Sequence, residues 1–184
     1  MATKDTFFRT MHDAGAAAWF GGSLMGAVGL NGAAADAADP RERTRLSAEG
    51  WMRWAPVNAA AIGAHLLGGA GILWADKSRQ VTQKRVGAST AVKTAITATA
   101  LGLSAYGAIL GAKVAKAADR APADGATEPT EQTPDDVAAA QRQLMVIQWA
   151  TPVMTGVIVA LGAQQGEMQR PRAQVLQLVD KVAA

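Results

Sequence analysis

Charged and uncharged positions are segregated along this chain. Four windows, 14–35, 54–75, 94–112 and 143–166, contain no Asp, Glu, Lys or Arg and run for 22, 22, 19 and 24 residues. A bilayer core about 30 Å thick is crossed by a helix of about 20 residues, so each window predicts a membrane span. The spans are placed at about 14–35, 54–75, 92–112 and 143–166, the third begun just ahead of its window. The pattern thus predicts an all-α protein, a four-transmembrane-helix bundle forming one integral membrane domain over 1–184, with a C-terminal amphipathic helix.

A soluble Ala-rich bundle is the alternative, and glycine location separates the two. Soluble proteins place Gly mainly in turns, where positive φ is useful. Here 16 of the 19 glycines lie inside the uncharged windows. Within lipid, small residues let helix backbones approach closely, which favours the membrane reading. Trp54 and Trp74 bracket the second window at a helical separation of about 30 Å, as expected of indoles at two membrane interfaces, and Trp51 lies one turn before Trp54.

The connecting segments have separate characters. Residues 1–13 form a polar head; with 14–30 as an apolar stretch and small residues at 33–37, a cleaved secretory signal is a rival reading of the first span. Residues 36–53 read as a charged connection with Pro40 in a turn and Ser47 as helix cap. The segment 76–93 carries five Lys/Arg against one Asp and reads as a basic loop near headgroups. It has no aromatic residue, which argues against nucleic-acid binding. Residues 119–133 are rich in Pro, acids and Thr and are expected to be a disordered acidic loop. Thr133, Pro134 and the acids 135–136 then start a helix to about Gln169, kinked at Pro152. In the tail helix 172–184, Val175, Leu176, Val179 and Val182 recur at helical spacing and suit a membrane surface. Lys/Arg total 10 on the side of both termini and 8 on the other, a slight preference for cytoplasmic termini.

Candidate chemistry is sparse. The absence of cysteine excludes a disulfide framework and Cys-ligated metal, and two histidines 53 positions apart form no metal motif. No phosphate-binding loop, dinucleotide fingerprint or zinc-protease motif occurs, so no catalytic residue, cofactor or metal is expected and the chain reads as non-enzymatic. Gly22 with Gly26 and Gly107 with Gly111 are GxxxG pairs expected at tight helix contacts. His65 falls beside the midpoint of Trp54 and Trp74, near the bilayer midplane, where an ionisable group must face the bundle interior. Ser23, Ser104 and Thr155 fall near the other window centres and could meet the imidazole at one depth. Asn58, Tyr106 and Gln148 lie at other levels. His12 stands at the edge of the first span, about 15 Å in depth from His65, which disfavours bis-His haem ligation.

Alanine and glycine make up about a third of the chain, with 42 and 19 residues. With its small-residue helices and charged connectors, the chain resembles the uncharacterised Ala/Gly-rich four-span membrane proteins of high-GC bacteria. The resemblance is compositional and implies a place in the cytoplasmic membrane, but no activity or site. The expected function is that of a scaffold or accessory component, partnered by the lipid bilayer and by a second copy or another membrane protein. A small transporter, or a proton- or ligand-binding protein using His65, is the alternative.

Overall fold

The computed structural model describes the backbone of residues 2–75 and 84–168, with side chains over 6–74 and 90–166. The expected tail helix 172–184 and residues 76–83 of the expected basic loop lie outside the described residues; the rest of that segment, 84–93, is not a loop but the start of a helix. Four long helices dominate: α1 (Ala2–Met25), α3 (Pro40–Ala75), α4 (Lys84–Ala117) and α5 (Asp135–Met168). A π turn over Gly26–Leu30 joins α1 to a short α2 (Asn31–Ala35), and a 3-10 turn over Ala118–Arg120 closes α4. Among the described residues there is no strand, only an isolated bridge between Ala123 and Pro129.

The helix starts differ from the sequence reading. Asp39 caps α3 by accepting the Arg41 N–H at 2.9 Å, and Pro40 occupies the first helical position, where a missing N–H costs nothing. The helix therefore begins seven residues before Ser47, which is buried inside it and bonded to Asn31 at 2.9 Å. Asp135 and Asp136 occupy the first turn of α5, favourably placed on its dipole. Thr133 does not serve as the expected cap; its hydroxyl donates to the Pro122 carbonyl within the preceding loop. Pro56 and Pro152 sit inside helices that continue through them.

All four long helices meet at a core of Ala16, Trp19, Ala61, Ala100 and Ile158. A second core, including Leu110, Val114, Val137 and Ile147, joins α4 to α5. Residues α1 and α3 run antiparallel, with Gly15 against His65, Gly22 against Trp54 and Gly26 against Trp51. This register sets the apolar half of α3 beside the charged start of α1. The centres of windows 14–35 and 54–75 are therefore not level, as equal-depth placement had assumed. No glycine has positive φ, so these residues serve by lacking a side chain rather than by unusual conformation.

Beside these apolar cores the bundle buries many polar side chains, while large apolar ones lie on its surface. Ser23, Asn31, Ser47, His65, Lys93, Thr97, Gln141, Thr151 and Thr155 are buried, whereas Met25, Val28, Leu67, Trp74, Ile109, Val146, Trp149 and Val153 are exposed. Among the described residues, Pro40–Trp74, Thr90–Arg120 and Asp135–Gly166 are long and apolar enough to cross a membrane; α1 is not among them.

The segment 119–133 departs from the expected disorder. Ala121 and Ala123 are fully buried, the Thr44 hydroxyl donates to the Ala121 carbonyl at 2.7 Å, and Arg43 donates to the Asp124 carbonyl at 2.9 Å. The Ala123 N–H reaches the Pro40 carbonyl at 3.0 Å. Composition underestimated its order because backbone hydrogen bonds and alanine burial, not large apolar side chains, hold the segment against α3.

Candidate functional site

The most concentrated polar chemistry lies where α1, α3 and α4 converge. At 2% exposure His65 faces the interior of the bundle, and the residue that meets it is His12. The two imidazoles stack with centroids 3.9 Å apart and planes 20° from parallel. A carbonyl can only accept, so the geometry assigns the protons. His12 Nδ1–H donates to the His65 carbonyl at 2.7 Å, and His65 Nδ1–H donates to the His12 carbonyl at 3.1 Å. Each ring thus clamps its partner helix by the backbone. Trp19 meets the His65 ring edge-on, with centroids 6.2 Å apart and planes at 60°.

This clamp requires the two helices to be very close, and glycine permits it. A Cβ on Gly15 would lie 2.5 Å from the Ala61 carbonyl oxygen, and one on Gly68 2.5 Å from the His12 nitrogen. Gly69 borders the His12 ring, where a Cβ would lie 3.1 Å from Nδ1. These are backbone-to-backbone approaches of the kind small residues allow in packed membrane helices.

From α4, Lys93 brings its Nζ to 2.9 Å from His12 Nε2. Because His12 Nδ1 already carries its hydrogen, Nε2 must accept from the ammonium if the ring is neutral, or donate to a neutral amine if it is charged. One proton bridges the pair in either case. Arg9 and Asp13 stand near enough to act on both groups electrostatically. On α5, Gly162 faces this corner, where a Cβ would lie 3.3 Å from Lys93 Nζ and 3.7 Å from an Asp13 carboxylate oxygen.

The expected hydroxyls do not surround His65. Ser104 accepts the Trp19 indole N–H at 3.1 Å, and Thr155 donates to the carbonyls of Thr151 at 2.9 Å and Pro152 at 3.2 Å. Ser23 is buried elsewhere on α1. The register of α1 explains this: close approach at Gly15 and Gly68 slides His12, not Ser23, to the level of His65. The 15 Å depth expected between the histidines was therefore wrong. Of the expected packing glycines, Gly22 and Gly26 lie against the Trp54 and Trp51 rings, Gly107 meets only Ile147 at 3.1 Å, and Gly111 faces open space.

A second polar cluster lies at the other end of the bundle. The Asn31 carbonyl oxygen accepts from the Ser47 hydroxyl at 2.9 Å and the Trp51 indole at 3.0 Å, while its amide donates to Gln148. Gln148 in turn donates to Thr127 at 3.2 Å. The π turn makes this possible, since its extra residue per turn rotates Asn31 inward. Tyr106 donates to Gln143, and the Asn58 carbonyl oxygen is buried without a partner. Among the described residues no group of three or more His, Cys, Asp or Glu is placed to hold a metal ion.

No protein-family model matches the chain, and neither a curated protein nor a solved structure gives a significant match.

Proposed function

We propose that this protein is a small, non-enzymatic, polytopic membrane protein of the bacterial cytoplasmic membrane, acting as a scaffold or accessory component. The observation that carries the reading is the apolar exterior of the bundle, beside polar groups held within it. Buried His65, Lys93, Asn31 and Gln141 occupy the interior, while Leu67, Ile109, Val146 and Val153 are each 61–67% exposed. At most 28% of the residues in any of the three span windows are buried within the bundle, so most of their apolar surface faces outward. Such a surface is costly in water and suits hydrocarbon.

In this reading α1 is a fourth span. Its lower hydropathy is tolerable because Ser23 is buried and His12 is held beside His65 and Lys93. The Lys/Arg balance orients both termini towards the cytoplasm. Fractionation should leave the protein in membranes after alkaline carbonate. Cysteines at the exposed positions Ala38 and Gln132 should label from outside intact cells, and one at Thr82 should not. Photocrosslinkers at Ile109 and Trp149 should capture a second copy or another membrane protein; capture of lipid alone would refute the accessory role.

The second reading, a proton- or ligand-binding protein using His65, is favoured by the His12–His65–Lys93 cluster. It predicts pH-dependent flux in proteoliposomes that His65→Asn abolishes without unfolding the bundle. The commitment of both Nδ1–H groups to backbone carbonyls favours the scaffold reading, because a proton wire cannot continue through a carbonyl.

A further inference from the structure

We propose that His12 and Lys93 form a one-proton latch between α1 and α4, which holds the bundle closed at neutral pH and opens when a second proton arrives. Lys93 Nζ and His12 Nε2 lie 2.9 Å apart, and the other ring nitrogen is already occupied as a donor to the His65 carbonyl at 2.7 Å. With one proton between them, the pair has one donor and one acceptor. Uptake of a second proton from solution turns neutral imidazole into imidazolium beside an ammonium. Two donors then face each other with no acceptor between them, and two like charges share a half-buried corner.

The neighbours relieve this conflict only in part, since the repulsion of Lys93 on His12 exceeds the attraction of Asp13. On α1, Asp13 supplies one negative charge and Arg9 opposes it. His65 on α3 stacks on the His12 ring with its own Nδ1–H already donated, and on α5 the position facing the corner is Gly162. Lys93 is 9% exposed, so most of its side chain is kept from water. The latch is a property of the packed helices and is independent of what the protein scaffolds.

The chain has no cysteine, so a single reporter can be placed at Thr97, which is buried one turn after Lys93 on the same face of α4. The full chain carrying Thr97→Cys, in mild detergent, is labelled with a dipyridyl disulfide, which remains reactive in acid. Labelling should accelerate about tenfold between about pH 7.5 and about pH 5, reporting the open population. Adding His12→Asn should abolish the acceleration. The Asn amide reproduces the Nδ1–H donor to the His65 carbonyl but has no second basic nitrogen. Lys93→Gln is the second variant, since its amide can donate to neutral His12 and accept from charged His12; it too should flatten the response. Equal acceleration in the parent and in whichever variant folds, or none in the parent, would overturn the latch.

Discussion

Replacing Gly68 by alanine adds one methyl group at the point where α1 and α3 are closest. That carbon would lie 2.5 Å from His12 N, 2.6 Å from the Phe8 carbonyl oxygen and 2.8 Å from His12 Cα. All three atoms are backbone, so no rotamer change relieves the clash. Ordinary contact begins near 3.4 Å, and the helices must part by about 0.9 Å to reach it. The His12 to His65 carbonyl bond, now 2.7 Å, would stretch beyond useful hydrogen-bonding distance, as would its 3.1 Å counterpart. Overpacking of this kind costs about 1–3 kcal/mol, and the better helix propensity of alanine returns about 0.5–1 kcal/mol. Taken at their midpoints these give an expected net loss of about 1 kcal/mol, or roughly 2–4 °C in melting temperature for a chain of this size. Gly111→Ala is the control. Nothing lies within 4 Å of its added carbon, so it should be neutral or stabilising by up to about 1 kcal/mol. Thermal unfolding in detergent, followed by circular dichroism, reads both. If Gly68→Ala is neutral, or Gly111→Ala destabilises equally, glycine does not set the α1–α3 register and the reasoning fails.

Asn31→Ala should destabilise by about 1–3 kcal/mol, because it leaves the Ser47 hydroxyl, the Trp51 indole and the Gln148 amide without their partner; chemical denaturation in mixed micelles measures it. Thr44→Val removes the bond to the Ala121 carbonyl, so limited proteolysis should cut within 121–133 faster than in the parent, whereas equal rates would mean the loop is held by other contacts. His65→Asn should keep most of the stability by retaining a donor towards the His12 carbonyl, while His65→Leu loses the bond and the ring stack and should melt lower by about 1 kcal/mol or more.

The helical class was legible because it depends on a one-dimensional property. Long charge-free stretches rich in alanine favour helix in any packing arrangement, and their length matches a bilayer. His65 drew notice for the same reason, as the single histidine inside a charge-free window. Its partners were not legible. His12 lies 53 residues before His65, and Lys93 lies 81 residues after His12; both border charge-free windows, where a charge is read as a span end. One signal was present in the sequence: Gly15, Gly68 and Gly69 flank the two histidines, marking where backbones could close. Reading it required knowing which helix faces which.

The segment 119–133 shows the same division from the opposite side. Its acids, prolines and threonines have little apolar surface to bury, and composition alone predicts disorder. Its order comes from Arg43, Thr44 and the Pro40 carbonyl, groups about 80 residues earlier in the chain. The sequence by itself determined that the chain is helical, that its helices can reach across a bilayer, and that His65 must find an interior partner. Only the tertiary structure decided the partner, because helix register depends on a few backbone contacts at Gly15 and Gly68. A shift of about three turns there exchanges a hydroxyl for an imidazole without changing any local preference.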